Sequence, residues 1–159
     1  FLGTGIRNSE LVGLNVDDVN FDDFSFVVTR KGGNRTILYF NEEVYNALNK
    51  WIIYRNSIKD LDKSEKALFL SLQNKRISVR TIQELVKKYA KVITPLKKIT
   101  PHKLRSTFGT NLYHETNDIY LVADFLGHSD VNTTKKHYAA MSEDVRRKAI
   151  KSVKIREED

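Results

Sequence analysis

The residue types able to do chemistry fall in four short stretches. Near the C-terminal end, Leu126, Gly127 and His128 form a Gly-His corner ten residues ahead of Tyr138, which has Lys135 and Lys136 close by. Upstream, Thr100, Pro101, His102, Lys103, Leu104 and Arg105 run together, and Arg7 stands near the start. Two arginines, two histidines and a tyrosine suit the breaking and rejoining of a DNA phosphodiester without metal. The pentavalent transition state of that reaction gathers negative charge on its equatorial oxygens, and preorganised cationic donors stabilise it. Arginine stays charged and offers a planar fork for two oxygens, so Arg7 and Arg105 could grip one phosphate from two sides. His102 and His128 could donate hydrogen bonds or move protons, because imidazole titrates near neutrality. Tyr138 is a feasible nucleophile. A phenol ionises near ~10 in water, so it needs positive charge or a base beside it. Lys31, next to Gly32 and Gly33, could protonate a leaving 5′ oxygen from a hairpin tip.

Singly, each residue has an ordinary structural reading. Arg7 can pair with Glu10 three positions on, His102 can cap a helix, His128 can be a loop residue, Lys31 a solvated hairpin lysine and Tyr138 a packing residue. Their order and their surroundings favour the joint reading, and the elements around them support it. Ile6, Leu11 and Leu14 share a helical stripe that carries Arg7 at its edge. Residues 16–21 read as a weak strand. Residues 24–30 and 35–40 alternate apolar positions around Lys31, Gly32, Gly33 and Asn34, which predicts an antiparallel hairpin with Arg30, Lys31 and Arg35 at its tip. Asn41 caps a helix whose first turn holds Glu42 and Glu43. Ala67 to Ser71 is a short buried run. Ser78 starts a helix to about Ile93, with Ile82, Leu85, Val86 and Tyr89 on one face. Thr100 is an N-cap and Pro101 fits the first helical position, so His102 and Arg105 share a face one turn in. Asn117 or Asp118 caps the next helix, and Gly127 ends it in the left-handed conformation. Residues 129 and 130 cap a helix carrying Lys135 to Tyr138, and residues 142–153 form a last amphipathic helix before a frayed acidic tail.

Composition narrows the class. The 159 residues suffice for one domain with a core, and the balance of 40% apolar to 30% charged is that of a soluble globular chain. Twenty-seven basic against twenty acidic residues give a net charge of +7, which favours a polyanionic partner. The absence of cysteine excludes disulfides, thiolate nucleophiles and Cys-based metal sites. No apolar run approaches the ~20 residues of a membrane span, and no signal peptide is visible. The start at Phe1, inside an apolar stretch, reads as a fragment cut inside or just after a helix.

These stretches resemble the catalytic domain of tyrosine recombinases, the phage-type integrases. The matching residues are Thr4 to Leu11 for the first-arginine box, His102 to Arg105 for the His-x-x-Arg box, Leu126 to His128 for the second-histidine box, and Tyr138 for the nucleophile; Lys31 looks like the hairpin lysine. The resemblance covers nearly the whole chain and shows no substitution at a catalytic position. It implies an α+β, mainly α-helical catalytic-domain fold over residues 1–159 with a small three-stranded antiparallel sheet near its N-terminal side. It also implies that the start of this domain and a preceding core-binding domain are absent from the chain. By this resemblance the protein is a site-specific DNA recombinase. Tyr138 would form a 3′-phosphotyrosyl link, Arg7, Arg105 and His128 would stabilise the transition state, Lys31 would be the general acid and His102 would assist as acid/base. No cofactor, metal or ATP is required. Four protomers would act on two duplexes, with a monomer expected off DNA, in the cytoplasm. Arg30, Arg35, Lys103 and Lys135 are candidate DNA contacts, and residues 142–153 a segment that docks on a neighbouring protomer or on its own. A type IB topoisomerase and a non-catalytic DNA-binding module are the alternatives; the small size and the Leu126 to His128 corner favour the recombinase.

Overall fold

The computed structural model describes residues 1–128 and 131–137 and the isolated helical positions 147, 150 and 151. Tyr138, the cap at residues 129 and 130, most of residues 142–153 and the acidic tail lie outside them. The chain divides into two compact units, Phe1–Phe108 and Gly109–Asp159.

The first unit opens on a turn, in which the Gly5 amide donates to the Phe1 carbonyl at 2.9 Å. Leu2 is exposed there, so these residues are not the tail of a buried helix. Helix α1 (Asn8–Gly13) follows. The sheet has three antiparallel strands in the order β1 (Val19–Asn20), β2 (Ser25–Thr29), β3 (Arg35–Tyr39). The first strand is shorter than its sequence suggests because residues 16–18 wind into a 3-10 turn, with the Asp18 carboxylate accepting from the Asn15 amide at 2.8 Å. In β2 and β3, Phe26 sits opposite Leu38 and Val28 opposite Thr36. Phe26, Val28, Leu38 and Phe40 face the core, which they share with Ile6, Leu14, Leu48 and Leu68.

Helix α2 (Glu42–Asn56) begins where expected, with the Asn41 side chain accepting from the Val44 amide. It holds the buried run at residues 67–70 by polar as well as apolar means. The Trp51 indole donates to the Leu68 carbonyl at 2.7 Å, and Arg55 donates to the carbonyls of Ala67 and Glu65 at 2.9 and 2.6 Å. Arg55 is buried for that reason: its guanidinium satisfies backbone acceptors that would otherwise be stranded. Arg76 does the same for the end of α1, reaching the carbonyls of Val12 and Leu14 and the Asn15 side chain. Helix α3 (Val79–Ile93) is capped by Ser78. Of its periodic face only Ile82 is buried, whereas Leu85 and Tyr89 are exposed.

Helix α4 (Pro101–Thr116) runs from the first unit into the second. In the second unit Asp118, not Asn117, caps α5 (Ile119–Leu126), accepting from the amides of Tyr120 and Leu121. Helix α6 (Val131–His137) packs against α5, where Val122, Ala123, Leu126 and Thr134 are buried.

Candidate active site

In the first unit the site is built from three element starts. Gly5, at φ 66°, turns the chain into α1, and Thr4 accepts from the Ile6 amide at 3.3 Å to hold that turn. Arg7 is the residue just before the helix, extended at φ −77°, ψ 152°. Its amide donates to Glu10 Oε2 at 3.0 Å, so the Glu10 carboxylate caps the first turn of α1. The other oxygen, Oε1, lies 3.9 Å from Arg7 Nη1 and 3.4 Å from Arg30 Nε. A buried carboxylate thus stands between two guanidinium groups, which is the condition under which a buried charge is tolerated.

The second start is that of α4. Thr100 Oγ1 accepts from the Lys103 amide at 3.2 Å, the cap expected from Thr-Pro. His102 is exposed in the first turn, and Arg105 lies one turn further along the same face. Arg105 is only 8% exposed, and its Nε donates to the Gly5 carbonyl at 2.7 Å. The third start is α3, tied to α1 by the Asn8 side-chain amide, which donates to the Val79 carbonyl at 3.2 Å. Together Arg7, Asn8, Ser9, Gln83, Thr100, Pro101, His102 and Arg105 line an open pocket of about 440 Å³. The structure therefore brings three sequence candidates, Arg7, His102 and Arg105, onto one concavity. Asn8 and Ser9, from the first-arginine stretch, and Gln83 join them; Gln83 had no earlier signal, since it sits on a helix whose periodicity spoke only of packing. A neighbouring cleft of about 580 Å³ shares Gln83, Thr100 and Pro101 and adds Lys87, Lys91, Lys97 and Lys98.

Lys31 does not line the pocket. It is exposed on the β2–β3 turn, closed by the Arg30 amide donating to Asn34 O at 2.7 Å and the Gly33 amide to Arg30 O at 3.0 Å. Of the candidate DNA contacts, Lys103 and Lys135 are exposed, Arg35 is exposed and pairs with Asp18 at 3.4 Å, and Arg30 is turned onto Glu10.

In the second unit Gly127 takes the left-handed conformation (φ 64°), as the sequence suggests. The His128 amide then donates back to Ala123 O at 3.0 Å, which fixes the ring's origin. His128 Nδ1 is 2.5 Å from the hydroxyl of fully buried Thr134 on α6. That contact ties the ring to α6. Lys135 lies over Tyr120, 5.2 Å from its ring centroid. Tyr138, next after the last residue of α6, is outside the described residues. Among those described, no three His, Asp or Glu side chains are grouped to hold a metal ion, and no helix is long and apolar enough to cross a membrane.

A family model described as the phage integrase family matches residues 1–144. The chain belongs to that family. It is 43% identical over 137 residues to the tyrosine recombinase XerC of Caldanaerobacter subterraneus, a match covering 85% of this chain and 38% of the relative. The crystal structure of XerA recombinase superposes with a TM-score of 0.77 at 32% identity, over 84% of this chain and 48% of that one. The Tn1549 transposon integrase, solved in complex with transposon right end DNA, gives a TM-score of 0.70 at 28% identity, over 95% and 56%. The fold is that of tyrosine recombinase catalytic domains, mainly helical with one three-stranded antiparallel sheet. The chain spans less than half the length of the curated relatives it matches.

Proposed function

We propose that this phage integrase family chain is the catalytic domain of a site-specific recombinase acting on double-stranded DNA. The observation that carries the reading is the pocket in which Arg7, His102 and Arg105 converge, with Arg105 already fixed by the Gly5 carbonyl. A scissile phosphate held there would meet two guanidinium groups. Each such preorganised donor is worth on the order of 10²–10³ in rate. His128, its ring held to Thr134 through Nδ1, is assigned to stabilising the transition state.

In the reaction the Tyr138 oxygen attacks phosphorus, and the bond to the 5′ oxygen breaks. The phenolic proton passes to a base, the role given to His102, and the leaving oxygen takes a proton from Lys31. One phosphodiester is exchanged for another, so the bond energy stays in the 3′-phosphotyrosyl link and rejoining needs no ATP. The relatives' recombinase names and the DNA-bound transposon integrase support this reading. Four protomers on two duplexes, each monomeric before DNA binding, fit the exchange of strands between two sites. We place the reaction in the cytoplasm.

The test is covalent trapping with the full-length protein on an end-labelled duplex nicked near the cleavage site, in EDTA. An SDS-resistant, protease-sensitive shift that disappears in Tyr138→Phe is expected. Binding without any shift would instead assign the chain to a DNA-binding module that has kept the fold. Supercoil relaxation without strand exchange would assign a topoisomerase.

A further inference from the structure

Lys31 poses a positioning problem. It rides on a turn with Gly32 at φ 84° and Gly33 at φ 80°, and nothing lies within 4 Å of a Cβ built on either. Such a tip has wide conformational freedom. The residue that limits this freedom is Arg30. In β2, Phe26 and Val28 face the core, and the period of two places position 30 on that same side and Lys31 on the other. Arg30 turns inward accordingly: its side chain is 15% exposed, and its Nε sits 3.4 Å from Glu10 Oε1. The second oxygen of that carboxylate holds the Arg7 amide. The Arg30 backbone also closes the turn at both ends, through Asn34 and Gly33. One buried carboxylate therefore joins the root of the hairpin to the first turn of α1.

We infer that Arg30 is a positioning residue for Lys31, fixing the hairpin root to Glu10 so that the lysine swings from a set origin, rather than a contact to DNA. The inference rests on the reading that Lys31 protonates the leaving 5′ oxygen. An alkoxide leaves poorly unless it is protonated, whereas a thiolate leaves as the anion, since thiols ionise near ~8.5. Loss of the acid's position should then slow cleavage at a 5′-bridging oxygen and spare cleavage at a 5′-bridging sulfur.

The experiment compares single-turnover adduct formation by the full-length protein on the oxygen and sulfur substrates, with hydrogen exchange at the Gly33 amide measured in parallel. Arg30→Met should slow the oxygen reaction by about 10- to 100-fold, leave the sulfur reaction within about twofold of native, and speed exchange at Gly33. Arg30→Lys should fall between native and Met, because lysine keeps the charge and loses the planar fork. Should Arg30→Met not fold, Arg30→Lys and Arg30→Gln carry the same comparison. Equal losses on the two substrates would overturn the inference and give Arg30 a role in the phosphate pocket instead. Unchanged exchange at Gly33 would overturn it whatever the adduct does. If Lys31→Ala keeps the native rate on oxygen, the reading of Lys31 falls, while faster exchange in Arg30→Met would still uphold the tether to Glu10.

Discussion

Arg105 and Lys31 are two cations of one unit, held in opposite ways. Arg105 is buried, and its Nε reaches a carbonyl a hundred residues away in sequence. Lys31 is exposed on a glycine turn, beside Arg30, whose side chain is paired with Glu10. The contrast suits the roles proposed for them, Arg105 as a charge-stabilising donor and Lys31 as the general acid. A donor that stabilises developing charge gains most when it need not reorganise, and ordering a long side chain costs up to ~2 kcal/mol unless the fold has already done so. A proton donor must instead reach an oxygen as it departs. On that proposal rigidity suits Arg105 and limited freedom suits Lys31.

The largest expected effect breaks the rigid side. Arg105→Ala should cut adduct formation by about 10³-fold, with DNA binding far less affected. It should also lower stability by about 1–3 kcal/mol, since the Gly5 carbonyl loses its partner in a buried setting. Arg105→Lys keeps the charge but not the Nε donor and should still lose roughly 10²-fold. Native activity in the lysine variant would mean that charge alone suffices and the Gly5 anchor is irrelevant. Gly5→Ala strikes the anchor from its other end. At φ 66° an alanine is strained by about 1–2 kcal/mol, so both stability and adduct rate should fall, the rate by about tenfold. Denaturant unfolding with single-turnover trapping reads both.

Much of this site could be read in the sequence because its signals are local. Thr100 and Pro101 announce a helix start, which sets His102 and Arg105 on one face, and Gly127 announces a helix end. The Gly32, Gly33 turn likewise fixes the hairpin register. What could not be read is the pairing across long separations. Nothing in the sequence joins Arg105 to Gly5, Asn8 to Val79 or Arg30 to Glu10. Arg30 shows the limit well. Its parity with Phe26 and Val28 was legible and points inward, yet a basic residue beside a turn reads first as a surface charge. Helix α3 shows another limit, since periodicity names a face without saying what covers it; Leu85 and Tyr89 are exposed among the described residues. The shortened β1 is a third case. Its apolar spacing suits a strand, but Asp18 reaches back to the Asn15 amide and winds the chain first.

On the hairpin side the expected effects are smaller and more selective. Gly33→Ala meets no neighbour, so its cost is conformational, about 1 kcal/mol at φ 80°. It should slow cleavage at a bridging oxygen a few-fold and leave a bridging sulfur unchanged, whereas Gly5→Ala should slow both. A variant pair that behaved alike on the two substrates would erase the division between the charge-stabilising and proton-donating sides.

The smallest effect belongs to a loop outside both. The Ser64 backbone amide and hydroxyl each donate to Asp62 Oδ1 at 2.8 Å, and they hold its carboxyl below the usual carboxylate range. Because the folded value is depressed, the stability this contributes is present above the unfolded value, near ~3.9, and is lost as pH falls through the folded one. The group is fully exposed, so solvent keeps the contribution small. Asp62→Asn should therefore unfold slightly more easily than native near neutrality and match it in strong acid, with adduct formation unchanged throughout. A difference that persisted in acid would show that the loop's turn, and not the ionised carboxylate, carries the effect. A change in adduct rate would extend the site to a loop that touches neither the pocket nor the hairpin.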